Sequence, residues 1–239
     1  MNLRANKRIV KSWLIMNESI IWNEIYKKES NQPGWSKPGP DKNISEIVNN
    51  YLVNNRKERV NILDIGCGNG RNSLIFDNIS KPYIHYTGID FSDSAIDYCQ
   101  NSYSKNKRFI KQDITGNIDS LFVKYRENNF ESGFDLVIDC GCFHSIEPDK
   151  RAMYIENLMK LTNPESIYIM GAWYKKESNM DIIKPTYFPY FSISEWLFDT
   201  TDIKSLFAPH FILKSGNVDK TIYPDVNDGF AYFVLSKAG

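Results

Sequence analysis

This chain lacks a charge bias: its 239 residues carry 29 Lys and Arg against 29 Asp and Glu, a formal net charge of zero. Proteins that grip nucleic acid present a basic face, and there is no excess here to build one. The best local candidate, Lys105-Asn106-Lys107-Arg108, reads as a solvated loop before a strand. Cysteine and histidine are scarce, at four and three residues. Cys67, Cys99, Cys140 and Cys142 make no C-x-x-C pair and have no histidine cluster beside them. That pattern argues against a metal centre and suits a reduced, cytoplasmic setting. Cys142 reads as a small, half-buried side chain rather than a nucleophile. Long apolar runs are missing too, since nothing approaches the roughly 20 residues of a membrane span. The basic residues Arg4, Lys7, Arg8 and Lys11 precede an apolar stretch broken by Asn17 and Glu18. This is not the apolar core of a signal peptide. The expectation is a cytoplasmic protein that engages neither membrane nor nucleic acid.

What the chain does have is a set of short apolar runs ending in acids. Ile62-Leu63-Asp64-Ile65 leads into Gly66-Cys67-Gly68-Asn69-Gly70. The run predicts a buried parallel strand. The glycines predict a tight turn whose backbone can approach a ligand closely. Residues 71–76 then predict a helix, and strand, turn and helix N-terminus together make a nucleotide-binding corner. The run His85-Tyr86-Thr87-Gly88-Ile89-Asp90 repeats the pattern, about twenty residues on, where an acid can accept both hydroxyls of a ribose. Arg108 to Asp113 and Phe134 to Asp139 repeat it again. Such strands line the edge where open α/β sheets bind ligands. The spacing is G-x-G-x-G, not the G-x-G-x-x-G that seats a pyrophosphate, so NAD is the second choice of cofactor.

As an ordered set, Asp64-x-Gly66-x-Gly68-x-Gly70, Gly88-Ile89-Asp90, Gln112-Asp113-Ile114 and Phe134-Asp135-Leu136-Val137 resemble the class I S-adenosylmethionine-dependent methyltransferases over about residues 59–173. Trp22-Asn23-Glu24-Ile25-Tyr26, Pro33-Gly34-Trp35 and Gly141-Cys142-Phe143-His144-Ser145-Ile146 are similar to the narrower thiopurine S-methyltransferase-like group, which acts on small molecules. The resemblance implies an α/β, Rossmann-like fold: a seven-stranded, mostly parallel sheet with helices on both faces. It implies S-adenosylmethionine as cofactor. Asp64, Gly66, Gly68 and Gly70 would serve its methionine end, Asp90 its ribose, Phe91 the adenine face, and Asp113 with the Ile114 N–H the adenine edge. Trp22 and Trp35 would close over the cationic sulfonium.

Residues 1–40 predict an N-terminal helical cap and a Pro/Gly loop. Ile9, Trp13, Met16, Ile20, Ile21 and Ile25 stand at helical spacing, and the run from Pro33 to Pro40 cannot continue a helix. Residues 41–239 predict the sheet domain. Its helices are expected from Asp41 to Asn54, from Ser92 onward with good capping chemistry, from Glu147 to Leu161 with Pro148 in the first turn, and to Phe207 behind a Thr200 or Thr201 cap. Ile167–Met170 predicts a fifth strand, and segments 211–214 and 230–235 a closing antiparallel pair. An aromatic-rich insertion near 174–198 predicts a flat apolar acceptor pocket built from Trp173, Tyr174, Tyr187 and Tyr190. Arg151 reads as an anchor for an acidic acceptor or as a surface ion pair.

Methyl transfer from a sulfonium is an in-line displacement, so the protein must align the nucleophile and exclude water. A base matters only when the nucleophile keeps a proton at neutral pH. His144 and Asp139, just past the fourth strand, are the candidate catalytic residues. His144 reads as that base or as a hydrogen-bonded structural histidine, and Asp139 also as a backbone contact to the methionine end. The expected function is transfer of a methyl group to O, S or N of a small molecule. A protein or RNA methyltransferase is the alternative. Against it stand the neutral charge and Asp139-Cys140-Gly141-Cys142 in place of an Asn/Asp-Pro-Pro-Tyr signature. The intact acids and glycine turn speak against a third reading, a binding scaffold without catalysis.

Overall fold

Parallel strands buried on both faces set the architecture. The computed structural model describes residues 18–28, 33, 36, 38–80, 82–119, 121, 133–175, 182–183, 193–219 and 229–239. Its strands are β1 (Arg59–Ile65), β2 (Tyr83–Asp90), β3 (Arg108–Lys111), β4 (Phe134–Cys140), β5 (Thr162–Trp173), β6 (Ile182–Ile183), β7 (Glu195–Trp196), β8 (Phe211–Asp219) and β9 (Phe230–Lys237). Seven of them form one sheet in the order β3-β2-β1-β4-β5-β9-β8, and β6 pairs with β7 apart from it. β1 to β5 are parallel, with Ile62 facing Tyr86 on one side and Leu136 on the other. β9 runs antiparallel to both β5 and β8. The expected mostly parallel α/β sheet is therefore present.

Alternation along the central strands divides the core. Leu63, Ile65, Ile89 and Val137 pack beneath helices Arg151–Leu161 and Thr200–Phe207. Val60, Ile62, Leu136 and Ile138 face the other way, onto Ile44, Val48 and Leu52 of helix Lys42–Asn54 and Ile96 of helix Asp93–Ser102. Each full methyl-sized step of such burial stabilises by about 0.8 kcal/mol, which fixes the strand faces. Asp41 caps the first of those helices by accepting the Ile44 N–H at 3.0 Å, and Ser92 caps the second.

Residues 71–76 form the expected helix, of the 3₁₀ type. The structure corrects other expected boundaries. β5 starts at Thr162 and ends at Trp173, well beyond 167–170 at both ends. The helix before Phe207 is capped by Asp199, not by a threonine: Asp199 accepts the Thr201 and Asp202 N–H groups while Asp202 accepts the Asp199 N–H. A reciprocal capping box outcompetes a lone hydroxyl. Helix Glu18–Lys28 is present and buries Ile25, but Ile20 stands 47% exposed. Ile9, Trp13 and Met16 lie outside the described residues. Among the described residues, no helix is long and apolar enough to cross a membrane.

Candidate active site

The glycine turn after β1 is the floor of the site. Gly66, Gly68 and Gly70 all take left-handed φ values, of 62°, 53° and 75°, which other residues adopt only at a cost. The turn is also packed on three sides. A Cβ on Gly66 would come within 2.5 Å of Cys142 Cβ, and one on Gly68 within 2.3 Å of Tyr26 Oη. Gly70 instead faces Tyr103, Cys99 and Phe109 in the core. Gly66 and Gly68 border a cavity of about 200 Å³ at the carboxyl ends of β1, β2, β4 and β5.

Ile89, Asp90, Phe91, Asp113, Ile114 and Thr115 line one end of this cavity. Asp90 is buried, and its two carboxylate oxygens accept the Gly68 and Ser92 N–H groups, each at 2.9 Å. Burial pushes its carboxyl up to about 6, against the pull of these backbone donors. A carboxylate has room for about four hydrogen bonds, so Asp90 retains acceptor capacity for a pair of ligand hydroxyls. Asp113 binds its own turn through the Thr115 N–H and hydroxyl. Helix Glu18–Lys28 covers this end with Trp22 and Tyr26. Asn23 fastens it there, accepting from the Ser94 N–H at 2.8 Å and the Ser92 hydroxyl at 3.2 Å.

The other end is lined by Cys142, His144, Trp173, Glu195, Phe230 and Tyr232. Nothing in the sequence pattern points to Glu195. Segment 193–198 reaches the site by pairing with the end of β5, where the Phe198 N–H donates to the Trp173 carbonyl at 2.9 Å. His144 Nε2 lies 3.2 Å from Glu195 Oε1, and Trp173 Nε1 donates to Oε2 at 2.9 Å. The Trp173 backbone N–H donates to His144 Nδ1 at 3.3 Å. Burial alone would raise the Glu195 carboxyl, but His144 and Trp173 hold it below its ordinary range. Two more cavity residues carried no sequence signal, Asp41 and Arg71. They approach within 3.9 Å, and Tyr232 donates to Asp41 at 3.0 Å.

Several expected site residues do not reach the cavity. Asp64 turns into the sheet, where the Tyr86 hydroxyl donates to it at 2.6 Å and burial pushes its carboxyl to about 7. The Asp139 carboxylate is wholly buried beneath the following turn. It accepts from Cys142 N–H, Phe143 N–H and the Tyr154 hydroxyl, which makes it a brace for that turn. Arg151 is buried between Trp196 and Phe198, 4.9 Å from each ring, and its Nε donates to the Ile146 carbonyl. Tyr174 packs against the core. Trp35, Tyr187 and Tyr190 lie outside the described residues. Burial pushes the Cys67, Cys140 and Cys142 thiols up, so they stay protonated and poorly nucleophilic.

The arrangement is one continuous pocket with the buried acid Asp90 at one end and aromatic residues with Glu195 at the other. A family model described as "Methyltransferase domain" matches residues 56–202, more than half of the chain. The chain belongs to this family of methyltransferase domains. The methyltransferase is 30% identical over 125 residues to an uncharacterized methyltransferase of Schizosaccharomyces pombe, covering 51% of this chain and 77% of that protein. It is 26% identical over 153 residues to EEF1A lysine methyltransferase 2 of Danio rerio, covering 61% and 62% respectively. Its fold matches the Burkholderia thailandensis 1,6-didemethyltoxoflavin-N1-methyltransferase, crystallised with 1,6-didemethyltoxoflavin and S-adenosylhomocysteine, at a TM-score of 0.62 and 15% identity. That match covers 100% of this chain and 92% of the other.

Proposed function

We propose that this methyltransferase moves a methyl group from S-adenosylmethionine to a small-molecule acceptor. The observation that carries the reading is the continuity of the pocket, from the buried acceptor Asp90 past Gly66 and Gly68 to the chamber at Trp173 and Glu195. The residues fit the cofactor. Asp90 has spare acceptor capacity for the ribose hydroxyls, Phe91 and Ile114 flank the adenine position, and Gly66 and Gly68 bring turn backbone to the cavity wall while making room for Cys142 and Tyr26 to pack against it. S-adenosylmethionine supplies an electrophilic methyl group and a neutral thioether leaving group. The chain binds, orients and excludes water: Trp22 and Tyr26 cover one end while Phe230 and Tyr232 wall the other.

The small-molecule reading draws on the likeness of Trp22 and segment 141–146 to the thiopurine-like group. The neutral charge of the chain supports it as well. One observation favours a protein acceptor instead, the relation to EEF1A lysine methyltransferase 2. Two measurements test the proposal. Calorimetric titration with S-adenosylmethionine, S-adenosylhomocysteine and NAD should show binding of the first two and its weakening in Asp90→Ala. Methyl-labelled cofactor added with a cell extract should then place label in the low-mass fraction. Label in protein alone would overturn the small-molecule acceptor, and preference for NAD would overturn the cofactor.

A further inference from the structure

We propose that the acceptor atom is an amine nitrogen and that Glu195 binds it, an inference that rests on the small-molecule methyl-transfer reading above. Glu195 is 8% exposed, yet it lines the acceptor end of the cavity. Its partners fix its charge. Because the Trp173 N–H donates to His144 Nδ1, that nitrogen carries no proton in the neutral ring, and Nε2 must carry it. With the ring in that form, Glu195 accepts from His144 Nε2–H and Trp173 Nε1–H, with the Ser145 side chain beside it as a further group favouring the anion. Such donors stabilise an anion without neutralising it. The same bonds occupy both ring nitrogens of His144, so the histidine serves to hold Glu195.

The surroundings are electronegative. Among the described cavity residues, Asp41, Asp90, Asp113 and Glu195 stand against one formal cation, Arg71, which leans on Asp41. In the displacement, the nucleophile's lone pair forms the new bond to the methyl carbon, and the carbon–sulfur pair returns to sulfur. A thiolate, phenolate or carboxylate acceptor would enter as an anion and be repelled by Glu195. A weakly basic amine, such as an aryl amine or a ring nitrogen, enters neutral and takes on the positive charge as sulfur loses it. A fixed carboxylate beside the nitrogen stabilises that charge as it develops. The N–H that donates to Glu195 also orients the lone pair, and the methylated ammonium then releases its proton to water. Phe230 and Tyr232 line the same end.

The test uses methyl-¹³C S-adenosylmethionine with a pool of small amines, phenols, alcohols, thiols and carboxylates, comparing wild type with Glu195→Gln. Glutamine keeps the shape of Glu195 and an acceptor for Trp173. N-methyl products are expected, with kcat/KM for the best amine falling on the order of a hundredfold in the variant. S-adenosylhomocysteine affinity should be unchanged. O-methyl or S-methyl products would overturn the amine assignment while leaving methyl transfer intact. Full activity, or lost S-adenosylhomocysteine binding, in Glu195→Gln would overturn the role given to Glu195. Cofactor binding with no labelled small molecule would overturn the small-molecule reading and this inference together.

Discussion

Lowering pH should weaken cofactor binding through Asp90. In the binding mode we propose, the ribose hydroxyls donate to this carboxylate, so its ionised form is the binding form, and burial pushes its carboxyl up to about 6. At pH 7 Asp90 is about nine-tenths ionised and at pH 5 about one-tenth, so the dissociation constant should rise about tenfold between them. Asp90→Asn removes both the charge and the titration. It also turns an N–H of the new amide toward the Gly68 or Ser92 N–H. Losing a hydrogen bond to a charged group, roughly 1.5–3 kcal/mol, corresponds to weaker binding by about 10- to 100-fold. Calorimetric titration with S-adenosylhomocysteine at pH 5, 6 and 7 measures both effects, with near-ultraviolet circular dichroism confirming the fold. Asp64 also titrates in this range but does not reach the cavity, so the slope left in Asp90→Asn reports its share. A wild-type affinity that stays flat across this range in folded protein would refute the reasoning, as would an equal slope in the variant.

Three further outcomes are expected. Gly68→Ala puts a Cβ against Tyr26 Oη at a left-handed φ; about 1–2 kcal/mol of backbone strain and a displaced Tyr26 should weaken S-adenosylhomocysteine binding. Adding Tyr26→Phe should restore part of it, since the next contact is at 3.2 Å. Arg151→Ala removes a guanidinium held between two rings and a hydrogen bond to Ile146; denaturant melts should show a loss of roughly 2–4 kcal/mol with KM for the acceptor unchanged, whereas an anchor for an acidic acceptor would raise KM. Asp64, raised to about 7 by burial, takes up a proton on folding that the unfolded chain does not hold above about pH 4. Its ionisation therefore costs stability as pH rises, ~3 kcal/mol between pH 5 and pH 8, and denaturation midpoints should lose this slope in Asp64→Asn.

The nucleoside end of the site was legible because its signals are local. Each of β1 to β4 is a short apolar run tipped by a polar residue, and the left-handed turn needs glycines at fixed offsets. Acid identity did not reveal acid direction, however. Asp64 and Asp90 share one face of the sheet, since Asp64 pairs with Gly88, yet Asp64 stands inside β1 and meets Tyr86 while Asp90 is the last residue of β2 and reaches the glycine turn at the pocket. Glu195 was not legible at all. It sits in the 174–198 insertion, whose signal is aromatic rather than acidic, and gains its place from the pairing of segment 193–198 with β5, a contact between distant parts of the chain. Arg151 is illegible for a related reason: an Arg at a helix start reads as exposed, and the rings of Trp196, Phe198 and Phe143 from elsewhere in the chain bury it.

The hydrogen bonds of Asn23 bear on how far this protein can be taken apart. Ser92 gives its N–H to Asp90, its hydroxyl proton to Asn23 and its oxygen to the Ala95 N–H. A single residue thus ties Asp90, the following helix and the N-terminal helix into one knot. A division of the chain near residue 40 separates the segments on paper but cuts through this knot. Removing helix Glu18–Lys28 would leave Asp90 in the polypeptide while loosening the turn that aims it. The N-terminal segment is in that sense part of the nucleoside pocket, and a grafted or shortened version of the sheet domain would have to supply a substitute for Asn23.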